Sequence, residues 1–454
     1  MTIIKTVGLV GVAALALGAC GGPTVEGGGG TPTTPAAGGD ATTPGGETTE
    51  AGFDWSSVEP ATEIAFWTNH PGGSMDIEKE LVEKFTAETG ITVDHVTAGA
   101  NYAEVSQRFQ TAQVSGDQGD VVVLSDANWF SAYLAGSIAP VDEILAAADV
   151  DASNYVDALY EDYLYEGEHW AVPYARSTPL FYYNKEHYAD AGLPDRAPES
   201  WAEMEEFAAQ LTEAGHTTAF AYPPEAEYPA WTMANLVWGF GGQWSDEWDF
   251  SAAHSAETIE ALEFAQRSLE EGWAAVASTA PQTDFAAGAN SSVIASTGAL
   301  NSTIEAAGFE IGVGFLPVGP SGDEKVVPTG GAGLAVASKS TPEQQLAAAM
   351  FVSYITNAEN TAAFSGATGY LPVTKGADMS AKYAEQPLFE VAVDQLERAR
   401  VQDFGRVLLP GGDIALSRGL SEVLVQKTDP AATMQKVAEE MQSLYDRDLK
   451  AVLG

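Results

Sequence analysis

Positively charged side chains are scarce in this sequence. Among 454 residues there are 20 lysines and arginines but 64 aspartates and glutamates, which gives a formal net charge of −44. A protein that binds nucleic acid neutralises phosphates with basic side chains along an extended surface. The composition therefore argues against nucleic acid as a partner and predicts a solvated, acidic surface.

Cysteine is almost absent, and the position of the one present is informative. Cys20 is the only cysteine, so no disulfide can form within the chain. It ends the apolar run of MTIIKTVGLVGVAALALGAC, which follows Lys5 and is short for a membrane-spanning helix. We therefore expect residues 1–20 to be a secretion signal and the chain to be exported.

Large apolar side chains are also nearly missing from residues 21–52, where Gly, Thr and Pro dominate. Such a segment cannot bury enough surface to offset its ordering entropy, so we expect residues 21–60 to form a disordered tether. The tetrapeptide LGAC resembles the lipobox of bacterial lipoproteins. That resemblance implies cleavage before Cys20, lipidation of its thiol and anchoring to the outer face of the cell membrane.

Sequence motifs for covalent chemistry are lacking. The six histidines include no H-E-x-x-H pair, and no G-x-S-x-G elbow, phosphate loop or G-x-G-x-x-G is present. DVDASNYVD spaces acidic residues as a calcium loop does, but Asn154 replaces the turn glycine and Tyr160 the bidentate glutamate. The sequence predicts a protein without catalytic residues, cofactor or metal.

Alternating strand and helix patterns begin near residue 61. The segments TEIAFWTNH, ITVDHV and GDVVVLS are predicted strands, and apolar residues between them repeat at helical spacing. This βαβαβ order predicts an α/β architecture with a largely parallel sheet. Functional groups gather beyond the carboxyl ends of such strands, where Asn69 and Asp126 lie.

Aromatic residues are dense in YPAWTMANLVWGFGGQWSDEWDF, where glycines interrupt them. Flat rings can stack on the C–H faces of sugars, and glycines allow a ligand to approach the backbone. Trp238 is equally consistent with ligand contact and with a core position. Trp244 and Trp248 fit a core or loop-anchoring role better, and Trp201 fits the apolar face of a helix.

Three longer stretches carry a family resemblance from about Thr62 to the end of the chain. They are ARSTPLFYYNKEHYADAGLP, FLPVGPSGDEKVVPTGGAGLAVASKS and NAENTAAFSGATGYLPVTKGA. In this order they resemble bacterial extracellular solute-binding proteins of the carbohydrate family, nearest to the glycerol-3-phosphate-binding branch.

The resemblance implies a two-lobed clam of the type II periplasmic-binding-protein fold. Each lobe is then an α/β unit with a sheet flanked by helices, and ligand binds between the lobes. We expect lobe 1 to comprise residues 61–175 and 297–357, and lobe 2 residues 176–296 and 358–454.

The resemblance also implies ligand-binding positions, and Asn69 joins them on its position alone. The positions carried over are Tyr102, Asp126, Ser177, Ser296, Thr297, Gly331 and Tyr370. The branch has an arginine near the C-terminus that holds phosphate, but Ala415 stands at the aligned point. Arg176, Arg406 and Arg418 are candidate replacements, and both a neutral sugar and a glycerophosphodiester remain open as ligands.

The functional prediction is the lipid-anchored, monomeric receptor of an ABC importer for a carbohydrate or glycerol-3-phosphate-type solute. Its expected partners are the solute, the ABC permease subunits and the membrane. Two alternatives stay open, namely an exported glycan-active enzyme and a sensory lipoprotein that signals to a membrane kinase.

Overall fold

A computed structural model describes residues 53–453, so the predictions for Cys20 and for the tether up to residue 52 lie outside the described residues. The strands are β1 (Glu63–Thr68), β2 (Thr92–Thr97), β3 (Val121–Ser125), β4 (Ile138–Ala139), β5 (Leu164–Tyr165), β6 (Glu168–His169), β7 (Val172–Ser177), β8 (Pro179–Asn184), β9 (Phe220–Tyr222), β10 (Ala274–Val276), β11 (Ser292–Ser296), β12 (Ile311–Gly314), β13 (Val327–Pro328), β14 (Gly330–Ala337) and β15 (Ala399–Arg400).

Twenty α-helices lie between and after these strands in the described part of the chain. They are α1 (Met75–Thr89), α2 (Tyr102–Ser115), α3 (Trp129–Leu134), α4 (Asp142–Ala147), α5 (Asp157–Tyr160), α6 (Lys185–Asp190), α7 (Trp201–Glu213), α8 (Pro229–Thr232), α9 (Ala234–Gly239), α10 (Ala256–Glu270), α11 (Pro281–Ala286), α12 (Leu300–Ala306), α13 (Pro342–Thr356), α14 (Ala358–Thr368), α15 (Ser380–Glu385), α16 (Leu388–Asp394), α17 (Phe404–Val407), α18 (Gly412–Val425), α19 (Pro430–Asp448) and α20 (Lys450–Leu453).

The sheet of the first lobe has the order β2-β1-β3-β14-β4, and β7 also pairs with β14. β1 is parallel to β2 and β3, which confirms the predicted βαβαβ unit, whereas β14 is antiparallel to its neighbours. Successive side chains of a strand face opposite sides. Phe66 accordingly packs in the cluster of α1 and α13, and Trp67 packs in the cluster of α2.

The second lobe has a sheet of order β10-β9-β11-β8-β12. The aromatic run of β8 is divided between its two faces. Phe181 and Tyr183 pack with the cluster that includes α7, while Leu180 and Tyr182 pack with Phe285 in a separate cluster. Two sheets with helices on both faces confirm the predicted two-lobed α/β architecture.

The chain first passes between the lobes at Thr178, which separates β7 from β8. The predicted return at residue 297 is wrong, because β12 pairs with β8 in the second sheet and the first lobe resumes only at β14. The predicted boundary at residue 357 is also too early. Helix α14 still packs on α1, and Thr374 bridges to Tyr155 of the first lobe.

Trp201 occupies the core position that the sequence predicts. The residue is 2% exposed, and its ring lies edge-on to Phe220 and Phe264. Helix α7 begins there because the Ser200 side chain accepts a hydrogen bond from the Glu203 backbone. Between residues 53 and 453 no helix combines the length and apolar character needed to cross a bilayer.

Candidate functional site

A cavity of about 540 Å³ lies between the two lobes. The first lobe contributes the start of α2, the end of β3 and the start of β14, and the second contributes α8, the end of β11 and the start of α18. Of the predicted ligand-binding residues, those that line it are Tyr102, Asp126, Ser177, Ser296, Gly331 and Tyr370.

Two tyrosines form part of the first-lobe wall. Tyr102 begins α2, and its hydroxyl lies 3.4 Å from the hydroxyl of Tyr370. Burial is the main cause that raises the pKa of both phenols, so both stay protonated in neutral solution. They therefore offer hydroxyl groups that can donate to an anionic or hydroxylated ligand.

The backbone of Gly331 positions the neighbouring Asp126. Gly331 has a φ of 102°, and a Cβ built there would lie 2.0 Å from the carbonyl oxygen of Ala175. Only glycine fits this conformation and this space. Its own carbonyl accepts a 2.9 Å hydrogen bond from the Asp126 backbone. This hydrogen bond, which continues the pairing of β3 with β14, thus fixes the point from which the Asp126 side chain enters the cavity.

Arg406 supplies the cavity's guanidinium group from α17 of the second lobe. It donates to Asp126 of the first lobe and to Asp413, each over 2.9 Å. Gln402 also donates to Asp126, over 2.9 Å. Burial favours the neutral form of Arg406, but the two carboxylates outweigh it and raise its pKa. The cation therefore joins the lobes across the cleft.

Aromatic rings and a third carboxylate line the second-lobe side. The Trp231 indole donates to the Thr329 carbonyl over 2.8 Å and lies against Gly330. Tyr228 stands at the start of α8 with a φ of 53° and is 56% exposed. Glu227 precedes it, and burial raises its pKa.

The first turn of α18 also faces the cavity, through Gly411, Asp413 and Ile414. The first backbone N–H groups of a helix lack partners within the helix and carry a partial positive charge. Together with Arg406 they make this part of the cavity able to bind one anionic group. The described residues that line the cavity supply one guanidinium against the three carboxylates of Asp126, Glu227 and Asp413.

Two of the three arginines considered from the sequence do not line the cavity. Arg176 is fully buried, donates to Tyr163 over 2.8 Å and is paired with Asp162. Arg418 is exposed and paired with Glu440. The structure therefore places neither of these two candidates against the cavity, and Arg406 is the one of the three that lines it.

Three further predicted residues lie outside the lining. Trp238 is buried, and its indole donates to Asp403 over 3.0 Å, so its role is core packing. Thr297 is buried, and its backbone donates to the Thr178 carbonyl over 2.9 Å. Asn69 follows β1 but does not reach the cavity.

Sequence reasoning missed several lining residues, chiefly Glu227, Tyr228, Trp231 and Asp413. Trp231 belongs to the aromatic-rich segment that the sequence indicated as a source of ligand contacts. The sequence did not show which of its rings line the cavity and which belong to the core. The signal for Tyr228 is the proline that follows it, because a proline at the first helical position marks where α8 begins.

The chain is similar to a known protein family and to solved structures of binding proteins. Residues 80–391 match the model of the family described as bacterial extracellular solute-binding protein. The crystal structure of UgpB from Mycobacterium tuberculosis in complex with glycerophosphocholine is 40% identical, with a TM-score of 0.80, over 85% of this chain and 99% of that one.

Other similar proteins are more distant. The sn-glycerol-3-phosphate-binding periplasmic protein UgpB of Escherichia coli is 25% identical over 86% of this chain and 94% of its own length. The GacH receptor of Streptomyces glaucescens, solved with and without acarbose, is 21% identical with a TM-score of 0.71, over 86% of this chain and all of the other. At that identity the likeness concerns the fold alone.

Proposed function

The chain belongs to the bacterial extracellular solute-binding protein family, and from this premise we propose that its solute is a glycerophosphodiester with a cationic headgroup, of the glycerophosphocholine type. The chain is a solute-binding receptor of an ABC importer. In such a protein the bound ligand contacts both lobes and stabilises their closed arrangement.

The observation that carries the proposal is the charge balance of the cavity. Among the described residues that line the cavity Arg406 is the single cation, and it already interacts with Asp126 and Asp413. A phosphate monoester brings close to two negative charges, which the carboxylates repel. A phosphodiester brings only one, and a quaternary ammonium on the same ligand offsets it.

Arg406 and the first turn of α18 are the groups suited to the phosphodiester. A guanidinium binds phosphate oxygens with two parallel donors, and a helix N-terminus adds backbone N–H groups. Ligand binding would draw Arg406 partly away from its carboxylates. Those carboxylates then become free to accept hydrogen bonds from glycerol hydroxyls.

The headgroup fits the aromatic and acidic side of the cavity. Quaternary ammonium groups bind to the faces of Trp and Tyr rings through cation–π attraction. Tyr228 and Trp231 both line the cavity, and Glu227 adds a negative charge beside Tyr228 in the sequence. The 40% identical mycobacterial relative was solved with a ligand of this chemistry, which supports the same class here.

Several hydroxyl groups remain for the glycerol moiety. Thr232 is 7% exposed, and its Oγ1 has no hydrogen-bond partner among the described residues. Thr232, Ser177 and Ser296 all line the cavity. A ligand hydroxyl can supply the partner that Thr232 Oγ1 lacks, since a buried polar group is costly when left unpaired.

The cellular setting belongs to the same proposal. Lipidation at Cys20 and the Gly/Thr/Pro tether would hold the folded body, as a monomer without catalytic activity, at the outer face of the membrane. From there it would deliver solute to the permease subunits. Mass spectrometry of the membrane-extracted protein tests this, because it predicts a diacylglycerol-bearing peptide that begins at Cys20.

Isothermal titration with glycerophosphocholine tests the ligand assignment, using the full chain with Cys20→Ser. Arg406→Gln should weaken binding by about a hundredfold, because charge-assisted hydrogen bonds of a buried cation contribute about 1.5–3 kcal/mol. Arg418→Gln is the matched control and should leave affinity unchanged. Equal binding by the Arg406 variant and the wild type would refute the assignment.

A further inference from the structure

A second polar cluster lies in the first lobe, outside the cavity lining. Glu78 belongs to α1, His95 to β2, and His70 lies between β1 and α1. The same oxygen of Glu78, Oε2, lies 2.6 Å from His70 Nδ1 and 3.0 Å from His95 Nε2. The three potential ligand atoms all lie within 4.8 Å of one another.

We propose that His70, Glu78 and His95 form a binding site for a divalent transition metal, with Zn²⁺ as the best fit. Two imidazole nitrogens and one carboxylate are a common zinc ligand set, completed by water or another fourth ligand. Mg²⁺ and Ca²⁺ prefer oxygen ligands alone, so this donor set selects against them.

The spacing of the donors requires only a small adjustment to hold the metal. Zinc lies about 2.0–2.2 Å from nitrogen and oxygen ligands, so tetrahedral ligands are about 3.3 Å apart. Each imidazole nitrogen must therefore move away from Glu78 Oε2 by less than about an ångström. The two imidazole nitrogens, which lie within 4.8 Å of each other, must approach by about 1.5 Å at most. The two imidazole rings already contact the same oxygen atom of Glu78, one from the loop after β1 and the other from β2.

Neighbouring side chains hold the three candidate ligands in place, as around known metal centres. The second oxygen of Glu78, Oε1, accepts hydrogen bonds from Ser74 over 2.8 Å and from Tyr174 and Thr68 over 3.1 Å each. The other ring nitrogen of His70 lies 2.7 Å from Thr97 Oγ1. This contact fixes the ring so that Nδ1 faces Glu78.

The backbone of His70 is unusual in a way that serves the same arrangement. His70 has a φ of 54°, which non-glycine residues adopt at an energetic cost. Its N–H donates to Thr68 Oγ1 over 2.9 Å. The His70 and His95 side chains keep 8% and 15% exposure, so solvent can reach the open coordination position.

The site would fasten β2 to the continuous segment that leads from the end of β1 into α1. It joins the loop after β1, the first turns of α1 and the middle of β2. Gly72 of that loop lies against the Tyr370 ring, where a Cβ would come within 2.7 Å. A metal there would therefore stiffen the support of one cavity wall, at a position separate from the solute.

Zinc titration of the full chain with Cys20→Ser tests the proposal, since that substitution removes the only thiol. Excess Mg²⁺ occupies the acidic surface, and isothermal titration then measures the remaining zinc binding. We expect one saturable equivalent, weakened more than about tenfold by His95→Gln and by His70→Asn. Asparagine tolerates the left-handed backbone of residue 70.

The matched control is His254→Gln, which changes a histidine of the second lobe and should leave zinc binding unchanged. A zinc-edge anomalous difference map should place one peak between the two imidazoles and Glu78. Absence of saturable binding in the wild type would overturn the proposal. So would equal zinc affinity in the His95 variant and the wild type.

Discussion

Arg406 of the second lobe and Asp126 of the first lie 2.9 Å apart and form an ion pair across the cleft. Both are buried and both line the solute cavity. In the proposed complex the anionic group of the ligand and Asp126 would compete for the same guanidinium. The proposal therefore makes the charge on Asp126 a determinant of ligand preference, which can be tested.

Asp126→Asn should change the ligand preference in a predictable direction. Removing one negative charge lowers the repulsion of a phosphate monoester, so affinity for glycerol 3-phosphate should rise relative to glycerophosphocholine. At an effective dielectric constant near 20 the change in the ratio is about tenfold or more. Titration of both ligands into the wild type and the variant measures it, and an unchanged ratio would show that Asp126 does not set ligand charge.

Tyr228→Ala should lower affinity selectively for the ligand with a quaternary ammonium. The expected loss is about 0.5–2 kcal/mol for glycerophosphocholine, with little change for glycerol 3-phosphate, which has no cation to bind the ring. Competitive binding assays give both affinities. Tyr383→Ala is a suitable control, because this second-lobe tyrosine does not line the cavity. An equal loss of affinity for both ligands would show that the quaternary ammonium headgroup does not bind to the Tyr228 ring.

Arg176→Met should affect stability rather than ligand specificity. The substitution leaves the buried Asp162 carboxylate without its cation, which costs about 3–5 kcal/mol of unfolding free energy. Denaturant unfolding measures this loss. The double variant Arg176→Met with Asp162→Asn should recover part of it, because no unpaired charge remains.

The single variant Arg176→Met also distinguishes a structural role of Arg176 from a role in ligand binding. Once the reduced folded fraction is taken into account, its affinity for glycerophosphocholine should match that of the wild type. A large specific loss of affinity with unchanged stability would return Arg176 to the list of phosphate ligands.

The α/β fold follows from local sequence patterns, whereas most of the candidate cavity residues come from the family resemblance. Tyr102, Asp126, Ser177 and Gly331 were predicted to bind ligand, and all four line the cavity. They occupy ends of elements, where the position in the chain nearly fixes the position in space. It was the family resemblance that marked these positions as candidate ligand contacts, which no single motif could provide.

The arginines show where sequence reasoning reaches its limit. Arg176 and Ser177 are neighbours in β7, and adjacent residues of a strand face opposite sides. Ser177 faces the cavity, so Arg176 faces Tyr163 and Asp162. Choosing between arginines requires the direction of each side chain, and spacing alone gives no such direction for loops or short helices such as α17.

The tryptophans and histidines show that contacts between residues distant in the sequence could not be predicted either. Trp231 and Trp238 lie in one aromatic-rich segment, yet only Trp231 lines the cavity, while Trp238 donates to Asp403, which is distant in the sequence. The sequence also predicted no metal, because its histidines show no ligand spacing. His70 and His95 meet only when β1 and β2 pair side by side.

The most direct measurement is isothermal titration of the full chain, with Cys20→Ser, against glycerophosphocholine, glycerol 3-phosphate, maltose and trehalose. The account predicts one saturable site for glycerophosphocholine, with affinity at least about tenfold higher than for glycerol 3-phosphate, a difference of about 1.4 kcal/mol. It predicts no saturable binding of either sugar. Saturable binding of a neutral sugar in the absence of glycerophosphocholine binding would contradict the assignment of the cavity.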